Sequence, residues 1–269
     1  MQKEGVRLGY NTMKRRIFSG AVCEQLVYRM PDGVKNVRDY DPEKVSGKRF
    51  KDEEERKKHR ESISRNTLRR SINENHNPKS IYSTLTFDTE WEVHTFDEAR
   101  QIRRNFVRAL KRSCPDAVIH LVMGRGKGTK RIHFHMVSNG IPLDVINNKW
   151  KYGRIAEHSY LREHNWYKGK DCGQDYTGLA DYMFDHWTEE VGGHRWFQTK
   201  NAKQPEREKP TEVRVTGGYS EKRPPRPPKG YMLVEVKTTK YGYMYFKYVV
   251  IPPKYVRPKK SEKSQTSPD

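Results

Sequence analysis

The stretch from Ile81 to Phe87 is rich in β-branched and aromatic side chains, a pattern that predicts a strand. Phe96, Ala99, Ile102, Phe106 and Leu110 then recur at three- and four-residue spacing, predicting an amphipathic helix over about 96–113, with Cys114-Pro115 as its stop. Apolar runs at 117–123 and 131–137 predict two strands, joined by the glycine-rich basic segment Gly124 to Lys130 as a hairpin. Leu179, Tyr182, Met183, His186 and Trp187 fall in helical phase and predict a second helix near 177–190. Strand, helix, strand, strand, helix is the order of an α+β domain with a mainly antiparallel sheet.

Outside this core the patterning is weaker. Ile17 to Val22 has strand character, and 31–75 reads as loop or a charged, exposed helix with little apolar face. Asn73, Asn75, Asn77 and Pro78 mark 66–80 as a linker. Six prolines between 205 and 228 predict an extended linker. A hairpin is expected over 231–251, turning near Lys240 to Gly242, and 252–269 reads as a disordered basic tail. The expected division is a basic N-terminal arm (1–75), a central domain (76–205), a proline-rich linker (206–230), the hairpin and the tail.

Composition changes the picture in one respect. The chain has 269 residues, 33% hydrophobic and 33% charged, with a net charge of +20. That is polar for a single packed unit of this size, so a smaller core with solvated basic flanks is expected. The charge is spread as net +7 over 1–75, +5 over 76–205 and +8 over 206–269. Such a chain suits a polyanionic partner, nucleic acid before an anionic membrane. No apolar run approaches the roughly 18 residues of a membrane span, and no signal-like segment is visible. Three widely spaced cysteines, Cys23, Cys114 and Cys172, form neither a disulfide framework nor a zinc signature, which fits a reducing cytoplasm.

The sharpest chemical feature is Ile132-His133-Phe134-His135-Met136-Val137. On a strand, alternate side chains share a face, so His133 and His135 point together, about 6.6 Å apart along the strand, and can both reach one divalent ion. Ile132, Phe134 and Met136 then face the core. Arg125, Lys127, Lys130 and Arg131 beside this strand are candidate phosphate contacts. The glycines at 124, 126 and 128 do not have the spacing of a nucleotide-binding loop, and no helix with Lys-Ser/Thr follows, which excludes that class.

The His-x-His stretch resembles the metal-binding motif of the HUH endonucleases. More closely, 81–205 resembles the replication-associated domain of rolling-circle plasmids and filamentous phages. The resemblance rests on five ordered pieces: Thr84-Leu85-Thr86-Phe87, Gly126-Lys127-Gly128 through His135, Trp150-Lys151-Tyr152-Gly153, Leu179-Ala180-Asp181-Tyr182, and Arg195 to Asn201 followed by Pro205. It implies a mainly antiparallel sheet with helices on one side. It also implies a cytoplasmic initiator in a bacterial host that nicks and rejoins single-stranded or origin DNA. The divalent metal would be Mg²⁺ or Mn²⁺ on His133 and His135, with host helicase and polymerase as further partners. Tyr182 matches the family's nucleophile position, with Tyr176 as runner-up. A phenol with pKa near 10 is a weak nucleophile at neutral pH, so it needs such help.

Two positions depart from the pattern. Relatives commonly carry a carboxylate ligand where this chain has Gly124, leaving water, Asp88, Glu90 or His120 as alternatives. They often carry a lysine three residues after the tyrosine, where this chain has Asp185; His186 then either takes a polar role near the phosphate or is a surface residue. Other readings are a non-catalytic DNA-binding protein of the same fold, or a mobilisation relaxase or transposase of the superfamily. For a relaxase, Tyr10 and a single His-x-His are a poor match. The tyrosines of 231–248 either stack on bases or form the packed face of the hairpin, the latter being the expectation. The basic helix face (Arg100, Arg103, Arg104, Arg108, Lys111, Arg112) is expected beside the histidines.

Overall fold

The structure is a computed structural model that describes residues 12–30, 43, 52–91, 93–126, 131–187, 194–213, 219–238 and 243–254. Its centre is a five-stranded antiparallel sheet. In spatial order this runs β6 (Ile155–Tyr160), β3 (Ile81–Thr86), β5 (Ile132–Asn139), β4 (Val118–Arg125) and β9 (Phe197–Gln198). The expected hairpin is β4–β5, and its register sets Gly124 opposite His133 and Val122 opposite His135. On the other side of β5, Thr84 faces His135 and Thr86 faces His133.

A second sheet joins strands from the first and last parts of the described chain. Strands β1 (Thr12–Ser19) and β2 (Val22–Arg29) form a hairpin, and β13 (Tyr243–Val250) pairs with β2 along its length. Strand β12 (Tyr231–Thr238) lies outside β13, while the short β10 (Glu206–Arg207) and β11 (Thr211–Glu212) pair with β1. The expected hairpin at 231–251 therefore forms, though its turn lies outside the described residues. It is not a free module: β2 is its neighbour, and Tyr243, Phe246 and Tyr248 are buried. Tyr243 and Tyr248 are packing residues, as expected, while Tyr241 lies outside the described residues. Part of the proline-rich stretch is tied to β1 as edge strand rather than left as a free linker. A two-stranded ribbon of β7 (Trp166–Tyr167) and β8 (Lys170–Asp171) stands apart from both sheets.

Helix α2 (Phe96–Ser113) has the expected span. Thr95 caps it by accepting from the Glu98 amide, and Glu98 reaches back to the Thr95 amide. Its apolar stripe packs with α3 (Leu143–Lys149), a helix that periodicity did not predict, on one face of the central sheet. Helix α4 (Thr177–Asp185) is shorter than expected. Together with α1 (Glu53–Asn75) it packs on the other face. Helices thus cover both faces, which corrects the expectation that they lie on one side. Residues 66–75 are the last turns of α1 rather than a linker, and 12–29 and 53–75 are structured parts of the fold rather than a solvated arm.

Why α1 escapes a hydrophobicity reading is visible in its contacts. Only Leu68 and Ile72 supply an apolar anchor; Arg70, Ser71, Asn73 and Asn75 are also buried. Arg70 donates to Glu24 on β2 and, at 2.6 and 3.0 Å, to Glu43, and Tyr245 donates to Glu24 at 2.8 Å. A buried cation flanked by two carboxylates holds the helix where an apolar stripe would normally do so. No described helix is long and apolar enough to cross a membrane.

Candidate metal and nucleophile site

The alternation of β5 divides its side chains cleanly. Ile132, Phe134 and Met136 are buried in the core beneath α2. His133 and His135 project to the opposite face, toward α4. Their Nε2 atoms are 2.9 Å apart.

A third imidazole joins them. His186 is the C-cap of α4, and one ligand atom from each of His133, His135 and His186 lies within 4.8 Å of the others. The sequence offered Asp88, Glu90, His120 or water for this place. Asp88 and Glu90 line a neighbouring cavity of about 650 Å³ with His133 and Arg131, outside the imidazole cluster. His120 is fully buried elsewhere, bonded to His76 and Ser71 at 2.8 and 2.7 Å. Gly124 explains the exchange. A β-carbon there would lie 2.3 Å from the His186 carbonyl oxygen, so the missing side chain is what lets the end of α4 come down onto β4. The signal was present in sequence as a pair: glycine where a carboxylate is usual, and a histidine one helical turn after the tyrosine.

The Nδ1 atoms are occupied, which leaves the Nε2 atoms to a ligand. His186 Nδ1 donates to the Tyr182 carbonyl at 2.8 Å, and His133 Nδ1 to the Arg131 carbonyl at 3.3 Å. His135 Nδ1 meets the Tyr82 hydroxyl at 2.6 Å, which itself lies 2.9 Å from Thr84 Oγ1. The hydroxyl can donate to Nδ1, or it can donate to Thr84 Oγ1 and accept from the Nδ1–H of His135. The second arrangement frees the His135 Nε2 lone pair, as a metal ligand requires. Burial and the neighbouring imidazoles depress His135 to about 3, and burial also lowers His133. Neutral imidazoles at hydrogen-bonding distance fit a divalent cation that prefers nitrogen donors.

Tyr182 stands over this cluster. Its ring centroid is 4.5 Å from that of His186 and 5.4 Å from that of His135, and the residue is 47% exposed. Tyr176 is different: it is 2% exposed, sits at the start of α4 within the core, and burial raises its pKa. Of the two tyrosines singled out by sequence, only Tyr182 is open to a substrate.

Helix α4 is fixed from behind. Arg69 grips Asp181 at 2.7 and 2.8 Å, Arg65 reaches Asp185 at 2.5 Å, and the Arg65 guanidinium stacks over Phe184. Asp185 therefore anchors the helix to α1. The Trp150–Gly153 segment locks the end of β3. The Trp150 indole donates to the Thr86 carbonyl, and a β-carbon on Gly153 would meet that same oxygen at 2.3 Å. The segment 195–199 ties β4 to α1, through Trp196 to Ser64 and Ser71 to Gln198.

The basic candidates separate. Arg131 is exposed and lines the cavity next to His133, while Arg125 is half-buried with its guanidinium over Phe96. Lys127 and Lys130 lie outside the described residues, as does Tyr10. The arginine-rich face of α2 is on the far side of the sheet from the histidines, contrary to expectation. No protein-family model, curated protein or solved structure matches the chain.

Proposed function

We propose that the protein nicks and rejoins single-stranded DNA through a covalent tyrosine intermediate, the activity implied by its resemblance to rolling-circle initiators. The observation that carries this reading is the meeting of one exposed tyrosine, Tyr182, with three imidazoles on an open face of the sheet. In this reading the Tyr182 hydroxyl loses its proton to solvent and attacks a backbone phosphorus. The bond from phosphorus to the 3′ oxygen breaks, and that oxygen takes up a proton to leave as a 3′-hydroxyl. The 5′-phosphate remains esterified to the tyrosine, and reversal of the step rejoins the strand. A divalent cation held by His133, His135 and His186 would polarise the phosphate and offset its developing charge. An all-imidazole donor set favours Mn²⁺ over Mg²⁺, whose preference is for oxygen ligands. The rest of the work belongs to the chain. Arg65 and Arg69 hold α4 so that Tyr182 and His186 keep their relative position, Tyr82 orients His135, and Arg131 offers charge beside His133. The net charge of +20 supplies grip on DNA.

The full chain should be incubated with Mn²⁺ and single-stranded DNA of the replicon that encodes it. A strand covalently attached to protein at its 5′ end is expected, and Tyr182→Phe should abolish it. An adduct that survives Tyr182→Phe overturns the nucleophile assignment. Binding without cleavage across Mg²⁺, Mn²⁺ and Co²⁺ would mean a DNA-binding protein that kept the fold without the activity.

A further inference from the structure

One cavity opens beside Tyr182 and shares lining residues with a second. The first, about 470 Å³, is walled by Tyr82, Tyr160, Tyr176 and Tyr182. The second, about 440 Å³, lies between α4, the β7–β8 ribbon and the outer sheet, with Trp166 and Lys237 on its walls. Arg162, Asn165 and Leu179 belong to both. The described residues include four strongly exposed aromatic side chains, Trp91, Tyr160, Trp166 and Tyr182, and three of them line this groove.

Two of those rings are mostly in solvent. Tyr160 ends the edge strand β6 and is 62% exposed; Trp166 is 59% exposed. Yet the ribbon carrying Trp166 is firmly held. Its neighbour Tyr167 donates to Glu235 at 2.6 Å, and His164 meets Asp171 at 2.7 Å. A large ring kept in solvent on a pinned ribbon is pre-organised to receive something flat.

The charges say what kind of flat ligand. Asp175 is paired with Lys247 at 2.6 Å, Asp181 with Arg69 at 2.7 Å and Glu235 with Lys237 at 2.8 Å. Arg162 is exposed and, among the described residues, makes no side-chain hydrogen bond or ion pair. Glu157 is the acidic group nearest the Tyr82 end. The groove is thus almost neutral, aromatic at intervals, with one available guanidinium midway. That is a surface for unpaired bases with a single phosphate contact, and duplex DNA buries the base faces it would need.

We propose that the single strand adjoining the scissile phosphate lies in this groove, with bases stacked on Tyr160 and Trp166 and one phosphate held by Arg162. The proposal rests on the reading of Tyr182 as part of a single-strand site, but it can be separated from catalysis. The full chain should be titrated with fluorescein-labelled oligothymidylate of 15 nucleotides in EDTA, where metal-dependent cleavage is blocked. Each ring should be worth about tenfold in affinity, so Tyr160→Ala/Trp166→Ala is expected to bind between about tenfold and about 100-fold more weakly, with its salt dependence unchanged. Arg162→Ala should lower the slope of log K against log salt by about 0.7. Tyr160→Phe/Trp166→Phe should keep wild-type affinity, which separates stacking from damage to the fold. If circular dichroism shows the double alanine variant unfolded, Trp166→Ala alone is read in its place. Wild-type affinity in the alanine variant, or a preference of the wild type for duplex, overturns the groove. Covalent adduct formation with a dispensable groove would leave the nicking reading standing; groove-dependent binding with no adduct would do the reverse.

Discussion

The two faces of the central sheet are built from the same strands and do opposite things. Beneath α2 and α3, Ile132, Phe134 and Met136 are sealed in an apolar layer with Phe106, Leu110 and Trp150. Beneath α1 and α4, the alternate positions of the same β5 strand are His133 and His135, and the neighbouring strands add His120, Tyr82 and Gly124. One face holds the sheet together by burial. The other mixes polar groups with a second apolar cluster that includes Leu68, Ile72, Val122, Val137 and Met183, and directed bonds add to its hold: Arg69 to Asp181, Arg70 to Glu24 and Glu43, Ser71 to His120 and Gln198. A strand with one purely apolar side can present ligands on its other side without loss of rigidity, because its position is already fixed.

The largest expected effect lies on the apolar face. Phe134→Ala removes a fully buried ring and should lower unfolding free energy by about 3–5 kcal/mol in urea titrations. Metal affinity of the folded fraction should stay the same; a parallel loss of affinity would show that the faces are not separable.

Next comes His186. His186→Ala should weaken Mn²⁺ binding by about 100-fold, measured by calorimetry, with an unfolding midpoint close to wild type. Gly124→Ala should weaken it too, by pushing the end of α4 off β4. If both variants bind Mn²⁺ like wild type, His186 is not a ligand.

Acid should expose the polar face selectively. Burial lowers His120 to about 4, and burial with the neighbouring His120 lowers His76. Both stay neutral in the folded protein when the unfolded chain, with histidine pKa near 6.5, already binds protons. Stability is therefore full above about pH 6.5 and falls as pH drops toward 4. Each group contributes at most about 1.4 kcal/mol per pH unit. Urea titrations at pH 7.5, 6 and 5 read this window before most carboxylates titrate; a flat profile would contradict the buried neutral pair.

The smallest effect concerns the hydroxyl behind His135, one of the three imidazoles proposed to hold the metal. Tyr82→Phe keeps the ring but leaves His135 Nδ1 without its 2.6 Å partner, and should weaken Mn²⁺ binding by about tenfold. An unchanged affinity would mean that Thr84, 3.4 Å from the same nitrogen, suffices.

Much of the apolar face was legible in the sequence. The three- and four-residue spacing of Phe96 to Leu110 set the bounds of α2, and the period-two pattern of β5 put both histidines on one side. These signals are local, because a residue's neighbours along the chain fix which face it takes. Tyr182 and the Trp150–Gly153 segment were marked by the resemblance of short motifs rather than by periodicity. What failed was whatever depended on distant polar partners. Helix α1 looked solvated because its buried side is Arg70, Ser71, Asn73 and Asn75, residues that pack only when Glu24, Glu43, His120 and Lys203 arrive from far along the chain. The pairing of β2 with β13, some 220 residues apart, left no trace in either strand alone.

By itself, then, the sequence determined β3, β4, β5, α2 and the start of α4, the shared face of His133 and His135 and the strongly basic character, and its motif resemblance singled out Tyr182. Only the tertiary structure decided that His186 completes the cluster, that Tyr176 is mostly buried, that α1 braces α4, and that the β1–β2 and β12–β13 hairpins share one sheet. The reason is physical. Hydrophobic periodicity is written in consecutive residues, whereas hydrogen-bonded and charged contacts, and the space left by a glycine, exist only between segments that the fold has brought together.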